Sequence, residues 1–348
     1  MEFALARYRL LFTRPFGTAH GVRDGTDSVF VRLSHEGRVG YGEATLPPYT
    51  GYSQKAVHEQ LVRFWLEHSR KITIADASLR QLDQLDPPAR AAFKCAYNDL
   101  IAKYNDRHVE SGILGFPTGL DKGASMVTIG YGDASDIPLK IKDLPSSTVL
   151  KVKLGGGKDK AIVKAVSSLD ERPLFLDANQ GWTDPDEAEA IVQLVGEDRL
   201  VGIEQPFPKH RWDLHETLKK RIPVPVYGDE SIQGEEDLER APEAFGGVNL
   251  KLMKCGGLDI AGRMAVRARE LGLKVMLGSM SESSLGCAAM FALSSMADLV
   301  DLDGPWLIRN DPFQGLEMDG DGMRVTGRAG FGVHLKADHD LRFEPIGA

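Results

Sequence analysis

The chain has 348 residues, 42% hydrophobic and 26% charged, and its 50 acidic against 42 basic side chains leave a net charge of −8. An acidic chain with scattered Lys and Arg offers no footprint for a phosphate backbone, and its longest apolar stretch, around Leu285–Leu293, falls short of the roughly 20 residues that span a bilayer, so neither nucleic acid nor membrane is expected as a partner. Met1–Leu5 lacks the basic-then-apolar layout of a signal peptide, and Cys95, Cys255 and Cys287 have neither the count nor the spacing of a disulfide framework or cysteine zinc site, so a cytoplasmic protein is expected.

Residues 1–115 read as an α+β unit. Phe3–Phe12 and Ser28–Ser34 are β-rich, and the turn His35–Arg38 leads into a third short strand, which predicts an antiparallel meander. Ser53 can cap a helix that puts Val57, Leu61, Phe64 and Trp65 on one face; from Pro87 onward Ala92, Phe93, Ala96, Tyr97, Leu100, Ile101 and Tyr104 recur at helical spacing. The Gly-rich stretch Gly112–Gly123 marks the boundary.

Residues 116–325 change pattern. Starting with Met126–Ile129, short apolar runs alternate with amphipathic helices, and the runs end at Lys153, Asp177, Glu204, Asp229, Lys251, Gly278 and Asp301, spaced 22 to 27 residues apart. A strand–helix unit repeating at that period predicts parallel β/α architecture, and eight such strands favour a closed barrel over an open sheet. The tail, residues 326–348, is expected to return to the first domain.

Barrel enzymes place their active sites at the C-terminal ends of the strands, so the polar residues ending these runs should converge. A single acidic residue there would merely cap the next helix. Three on consecutive strands, Asp177, Glu204 and Asp229, form a set of hard oxygen ligands suited to Mg²⁺. Lys151 and Lys153, two apart on one strand, point to the same face, and Lys251 comes from roughly across the mouth. Ammonium groups flanking a metal site suggest two-base proton transfer: a metal-bound carboxylate can lose its α-proton because the metal and a cationic lysine stabilise the enediolate. Asp301 and Asp303 share a face, and adding them to a mouth already holding three carboxylates implies a substrate with a positive group; the alternative for Asp303, just before Gly304-Pro305, is a helix cap.

The segments Lys151-Val152-Lys153, Leu176-Asp177-Ala178-Asn179-Gln180-Gly181-Trp182, Ile203-Glu204-Gln205-Pro206, Gly228-Asp229-Glu230-Ser231, Asn249–Lys254 and Asp301-Leu302-Asp303 together resemble the enolase superfamily, its muconate-lactonising subgroup and, within that, the L-Ala-D/L-Glu epimerase-like dipeptide epimerases. The resemblance covers essentially the whole chain. It implies an α/β fold, a modified (β/α)7β TIM-type barrel with an α+β capping domain. It further implies one Mg²⁺ per subunit on Asp177, Glu204 and Asp229, Lys153 and Lys251 as the acid/base pair, Lys151 at the substrate carboxylate, and Asp301 and Asp303 at the α-ammonium group. Thr128, Ser279 and Ser281 match substrate-contacting positions. Phe16–His20 and Tyr49–Tyr52 should close over the site and read the C-terminal side chain. Gly17 stands near the place of the arginine that recognises glutamate, so a neutral or apolar side chain is expected at least as much as an acidic one.

The implied activity is epimerisation of the C-terminal residue of an L,L-dipeptide of L-Ala-L-Xaa type by 1,1-proton transfer. Other members of the subgroup (muconate cycloisomerase, o-succinylbenzoate synthase, N-acylamino acid racemase) and a non-catalytic metal–carboxylate binder remain as alternatives; a homo-oligomer is left open. Leu154–Lys158 follows a strand as a phosphate loop would, yet lacks the Gly-Lys-[Ser/Thr] ending and reads as a βα turn. Asp319–Gly322 lacks the remaining ligands of a calcium loop and reads as a hairpin turn, and His210, His215, His334 and His339 read as surface or packing residues.

Overall fold

The computed structural model describes residues 1–19, 21–75, 80–109, 125–145, 147–319 and 322–347; the expected boundary Gly112–Gly123, His20 and the tip of the Asp319–Gly322 turn lie outside the described residues. Strands β1 (Glu2–Thr18), β2 (Gly21–His35) and β3 (Arg38–Leu46) form an antiparallel meander, and the short strand Glu344–Pro345 adds to its β1 edge. The β1–β2 register shifts between Leu11 and Phe16, so the far end of the hairpin pairs Phe16 with Arg23. Helix α1 (Gln54–His68) starts where the Ser53 hydroxyl accepts the Ala56 N–H at 3.1 Å, and it buries Val57, Leu61, Phe64 and Trp65. Helix α2 (Pro87–Tyr104) lies so close on β3 that a Cβ on Gly42 would stand 2.0 Å from the Ala92 carbonyl oxygen, and one on Gly40 2.2 Å from that of Ala96.

The second unit is an eight-stranded parallel sheet in sequence order: β4 (Met126–Ile129), β5 (Val149–Lys153), β6 (Leu174–Asp177), β7 (Leu200–Glu204), β8 (Val226–Gly228), β9 (Gly247–Leu250), β10 (Lys274–Gly278) and β11 (Leu299–Asp301). A bridge between Ser125 and Val300 joins the last strand to the first and closes the barrel. Side chains alternate in and out along each strand. The lower inward positions, Met126, Val149, Phe175, Tyr227, Met276 and Leu299, pack as an apolar cluster of their own, with Gly202 and Gly247 making room for the rings of Phe175 and Tyr227. That cluster is a dry floor. The next inward positions carry Thr128, Lys151, Asp177, Glu204, Asn249 and Asp301, so the strand periodicity that fills the floor also gathers the polar residues above it.

The tail lies against the first unit: the Val109 N–H donates to the Gly330 carbonyl oxygen at 2.9 Å, and the Phe331 N–H donates to Asp99 at 3.0 Å. Among the described residues no helix is long and apolar enough to cross a membrane.

Candidate active site

Register sets the mouth. Lys153 pairs with Asp177 and Asp177 with Glu204 across neighbouring strands, which brings three charged side chains side by side. The Lys151 ammonium, 1% exposed, is 2.6 Å from Glu204 Oε2, 2.6 Å from Asp301 Oδ2 and 3.0 Å from Asp177 Oδ2. Three carboxylates from three strands therefore meet at one cation. Lys153 Nζ reaches the same Asp177 Oδ2 at 2.5 Å. On the other side Lys251, just past β9, donates to Asp229 Oδ2 at 2.7 Å. Strands β5 and β9 lie four apart in a ring of eight, so Lys153 and Lys251 rise from opposite walls.

The electrostatics follow from burial against neighbours. Burial alone would drive the Lys151 pKa down, but Asp177, Asp301 and Glu204 outweigh it and hold it well above its ordinary value. Lys251 is raised in the same way by Asp229 and Glu204. Asp177 and Asp229 feel the same burial, yet their lysine neighbours hold both carboxyls well below the usual carboxylate range. Glu204 goes the other way, to about 8, because burial and then the charge of Asp177 outweigh Lys151. Asp303 is pushed up to about 6 by burial and by Asp301.

A cleft lies between the first unit and the barrel mouth. Thr128, Lys151, Lys153, Asp229, Lys251, Ser279, Ser281, Asp301 and Asp303 all line it, while Asp177 and Glu204 sit beneath, fully buried. Asp303 makes no side-chain cap to the helix it precedes; its Oδ2 accepts the Thr128 N–H at 2.6 Å. Phe16, Thr18 and Tyr49 close the cleft from the first unit. The glycine-rich turn after β5 has its amides taken, with Gly155 N–H donating to Asp159 Oδ2 at 2.9 Å, and so is not an anion loop.

Among the described residues no group of three acidic, histidine or cysteine side chains is arranged as a cage for a metal ion, since the carboxylates are paired with ammonium groups. The donor set nevertheless suits a hard divalent ion. Asp177, Glu204 and Asp229 are at most 4% exposed, and oxygens of Asn179, Glu230 and Asn249 nearby are buried without a hydrogen-bond partner among the described residues.

Several residues at the site were not anticipated. Arg23 lines the cleft, its guanidinium 5.4 Å from the Tyr49 ring centroid and 5.5 Å from that of Phe12, with Nη1 donating to Thr26 Oγ1 at 2.9 Å. It is the cross-strand neighbour of Phe16, so the hairpin register, not the sequence position of Gly17, decides which side chain enters. Lys254, one helical turn past Lys251, spends all three ammonium protons on Asp229 Oδ1 at 2.6 Å and on the carbonyl oxygens of Asp229 and Asn249 at 2.8 Å each. It buckles β8 to β9 beyond their last backbone pair. Gln205 accepts the N–H groups of Asp229 and Ser231 at 2.9 and 3.0 Å. Its φ of +37°, with +45° at Asn179, +67° at Gln180 and +69° at Ser281, puts four left-handed non-glycine residues in the loops of the mouth. The Lys251/Lys254 spacing was a usable signal; the other two residues depend on tertiary register.

The family model of enolase C-terminal domain-like proteins matches residues 145–339. A curated relative from Bacteroides thetaiotaomicron, an L-Ala-D/L-Glu epimerase, is 35% identical over 96% of this chain and 88% of its own length. A Methylococcus capsulatus dipeptide epimerase, solved with Mg and the dipeptide L-Arg-D-Lys, superposes with a TM-score of 0.80 at 29% identity, covering 96% of this chain and 99% of that one. An Agrobacterium tumefaciens enolase family member, solved with sodium and L-Ala-L-Glu, gives 0.82 at 28% identity over 94% and 98%.

Proposed function

The chain belongs to the enolase superfamily, among its dipeptide epimerases, and from that premise we propose that it is a Mg²⁺-dependent enzyme inverting the α-carbon of the C-terminal residue of an L,L-dipeptide, with L-Ala-L-Glu the substrate its cleft suits. The observation that carries the reading is the pair Lys153 and Lys251, raised from opposite walls into one cleft that Asp301 and Asp303 also line. One lysine, neutral, takes the α-proton from its face of the carbon; the other, as ammonium, returns a proton to the opposite face. The proton count is unchanged and the configuration inverts.

Lys151, locked among carboxylates and held protonated, meets the charge that develops on the substrate's carboxylate oxygens as the enediolate forms. Asp177, Glu204 and Asp229 would hold Mg²⁺, which would supply positive charge to the substrate carboxylate and so acidify the α-hydrogen. Burial, the largest influence on Lys251, disfavours its charged form while Asp229 and Glu204 oppose it, so its protonation depends on how those two carboxylates are engaged. Asp303 has no lysine partner among the described residues, so a dipeptide α-ammonium group would supply the charge it lacks, with Asp301 beside it. Arg23 pairs with no carboxylate among the described residues and faces the cleft, which favours an acidic C-terminal side chain over the neutral or apolar one suggested by Gly17. Three buried free thiols, Cys95, Cys255 and Cys287, suit a reducing cytoplasm.

The test is incubation of L-Ala-L-Glu with the Mg²⁺-loaded protein in D₂O. Deuterium at the glutamyl α-carbon together with L-Ala-D-Glu is expected; binding without label would sink the enzyme reading and leave a carboxylate-binding protein.

A further inference from the structure

Glu43 stands on β3, 2% exposed, at the seam between the meander and the barrel. Two oxygens there receive four donors. One is its own strand neighbour, the Thr45 hydroxyl at 2.6 Å; the other three belong to the barrel, namely the Ser283 N–H at 3.1 Å, the Gly286 N–H at 3.2 Å and the Ser283 hydroxyl. These barrel donors surround the first turn of the helix Ser284–Phe291, whose free N–H groups attract an anion. A carboxylate from one unit thus ends a loop of the other.

That loop runs from the end of β10 through Ser279, Met280 and Ser281, all three in the cleft wall. Left alone it has little reason to keep its shape. Ser281 sits at φ +69°, a conformation that persists in a non-glycine residue only when its surroundings enforce it. Glu282 folds back so that its Oε2 accepts the Met280 N–H at 2.5 Å, and Glu43 anchors the next residue. The same strand makes a second tie, with Thr45 N–H donating to Met253 Sδ at 3.2 Å, two residues beyond Lys251.

We propose that Glu43 is a positioning residue: touching neither the substrate site nor the acidic cluster, it locks the Ser279–Ser283 loop to the first unit and so sets how firmly the cleft wall grips the dipeptide. The inference rests on the dipeptide-epimerase reading and deepens it. A carboxylate serving only to hold the fold would, when altered, lower thermal stability and leave the binding constants of the folded enzyme unchanged. Glu43 acting through the loop moves dipeptide binding selectively, because the lysines and acidic residues are anchored by their own strands.

The experiment compares Mg²⁺-loaded wild type with Glu43→Gln, Ser283→Ala and the double variant, measuring kcat and KM for L-Ala-L-Glu, dipeptide and Mg²⁺ affinity by calorimetry, and Tm. Gln keeps the shape but turns one acceptor into a donor against N–H and O–H groups. Expected is a rise of about ten-fold in KM and dipeptide Kd, the worth of roughly one lost hydrogen bond, with Mg²⁺ affinity within about two-fold of wild type. Ser283→Ala, which removes one of the four donors, should move the same constants in the same direction, and the double variant should fall short of the sum of the two singles, since they share the Glu43–Ser283 contact. Unchanged dipeptide binding in both single variants overturns the proposal, as does parallel loss of dipeptide and Mg²⁺ affinity. If Glu43→Gln does not fold, Ser283→Ala decides alone. Calorimetric binding does not require turnover, so a wild type that binds the dipeptide but never labels it contradicts the enzyme reading and not this one.

Discussion

Arg23 and Glu282 show how single side chains carry separable duties in this cleft. The half-buried Arg23 guanidinium lies near two aromatic rings, and its partial burial lowers its pKa, so an anion placed before it gains a partner shielded in part from water. Arg23→Met should cut kcat/KM for L-Ala-L-Glu by about 10- to 100-fold, the worth of a charge-assisted hydrogen bond, and leave L-Ala-L-Leu untouched. Assaying both dipeptides checks this, and equal losses on the two would remove Arg23 from side-chain recognition. Glu282, 2% exposed, is pushed from 4.5 up to about 8, first by burial and then by Glu43. The folded protein keeps a proton that the unfolded chain gives up above its ordinary pKa. This contribution to stability is complete below pH 4.5 and is lost as the pH rises through 8. Between pH 6 and 8 the wild type should lose about 2 kcal/mol more than Glu282→Gln, measured by urea unfolding at both pH values. Parallel curves would mean that Glu282 is ionised in the fold.

At the scale of elements, what could be read in advance was periodicity. The 22- to 27-residue spacing of polar strand ends gave the barrel, and alternation along β5 gave Lys151 and Lys153 one face, because both follow from local geometry. Arg23 was out of reach: its place depends on a register shift between Leu11 and Phe16 that composition does not announce. Glu43 was equally hidden, since its barrel partners lie 240 or more residues away on a different unit. Metal ligation is a different case, as the sequence offers the donors while the side chains stand paired with lysines. Packing of α2 on β3 makes its own demand. A methyl on Gly42 would lie 2.0 Å from the Ala92 carbonyl oxygen, so Gly42→Ala must separate helix from sheet. Overpacking of this kind costs about 1–3 kcal/mol. A lowered urea midpoint with dipeptide KM near that of wild type is expected; an unchanged midpoint would show that the seam has slack.

In the whole molecule two units divide the labour. The barrel supplies the proposed acid, base and ligand side chains from its strand ends above an apolar floor, and the first unit supplies Phe16 and Arg23 from the meander and Tyr49 from the turn after it as the opposite wall. Glu43 and Thr45 tie the two together, and the C-terminal strand Glu344–Pro345 adds to the meander's edge after the chain has passed through the barrel. Such a division keeps the chemistry fixed while leaving selectivity to the other unit. The claim on which everything else depends is that two lysines serve opposite faces of one carbon, and stereospecific exchange measures it most directly. Lys153→Ala and Lys251→Ala should each be incubated in D₂O with L-Ala-L-Glu and, separately, with L-Ala-D-Glu. Each variant should lose epimerisation by a factor of about 10² or more, yet each should still label one antipode, and not the same one. Epimerisation at the wild-type rate by either variant, or labelling of the same antipode by both, would contradict the account.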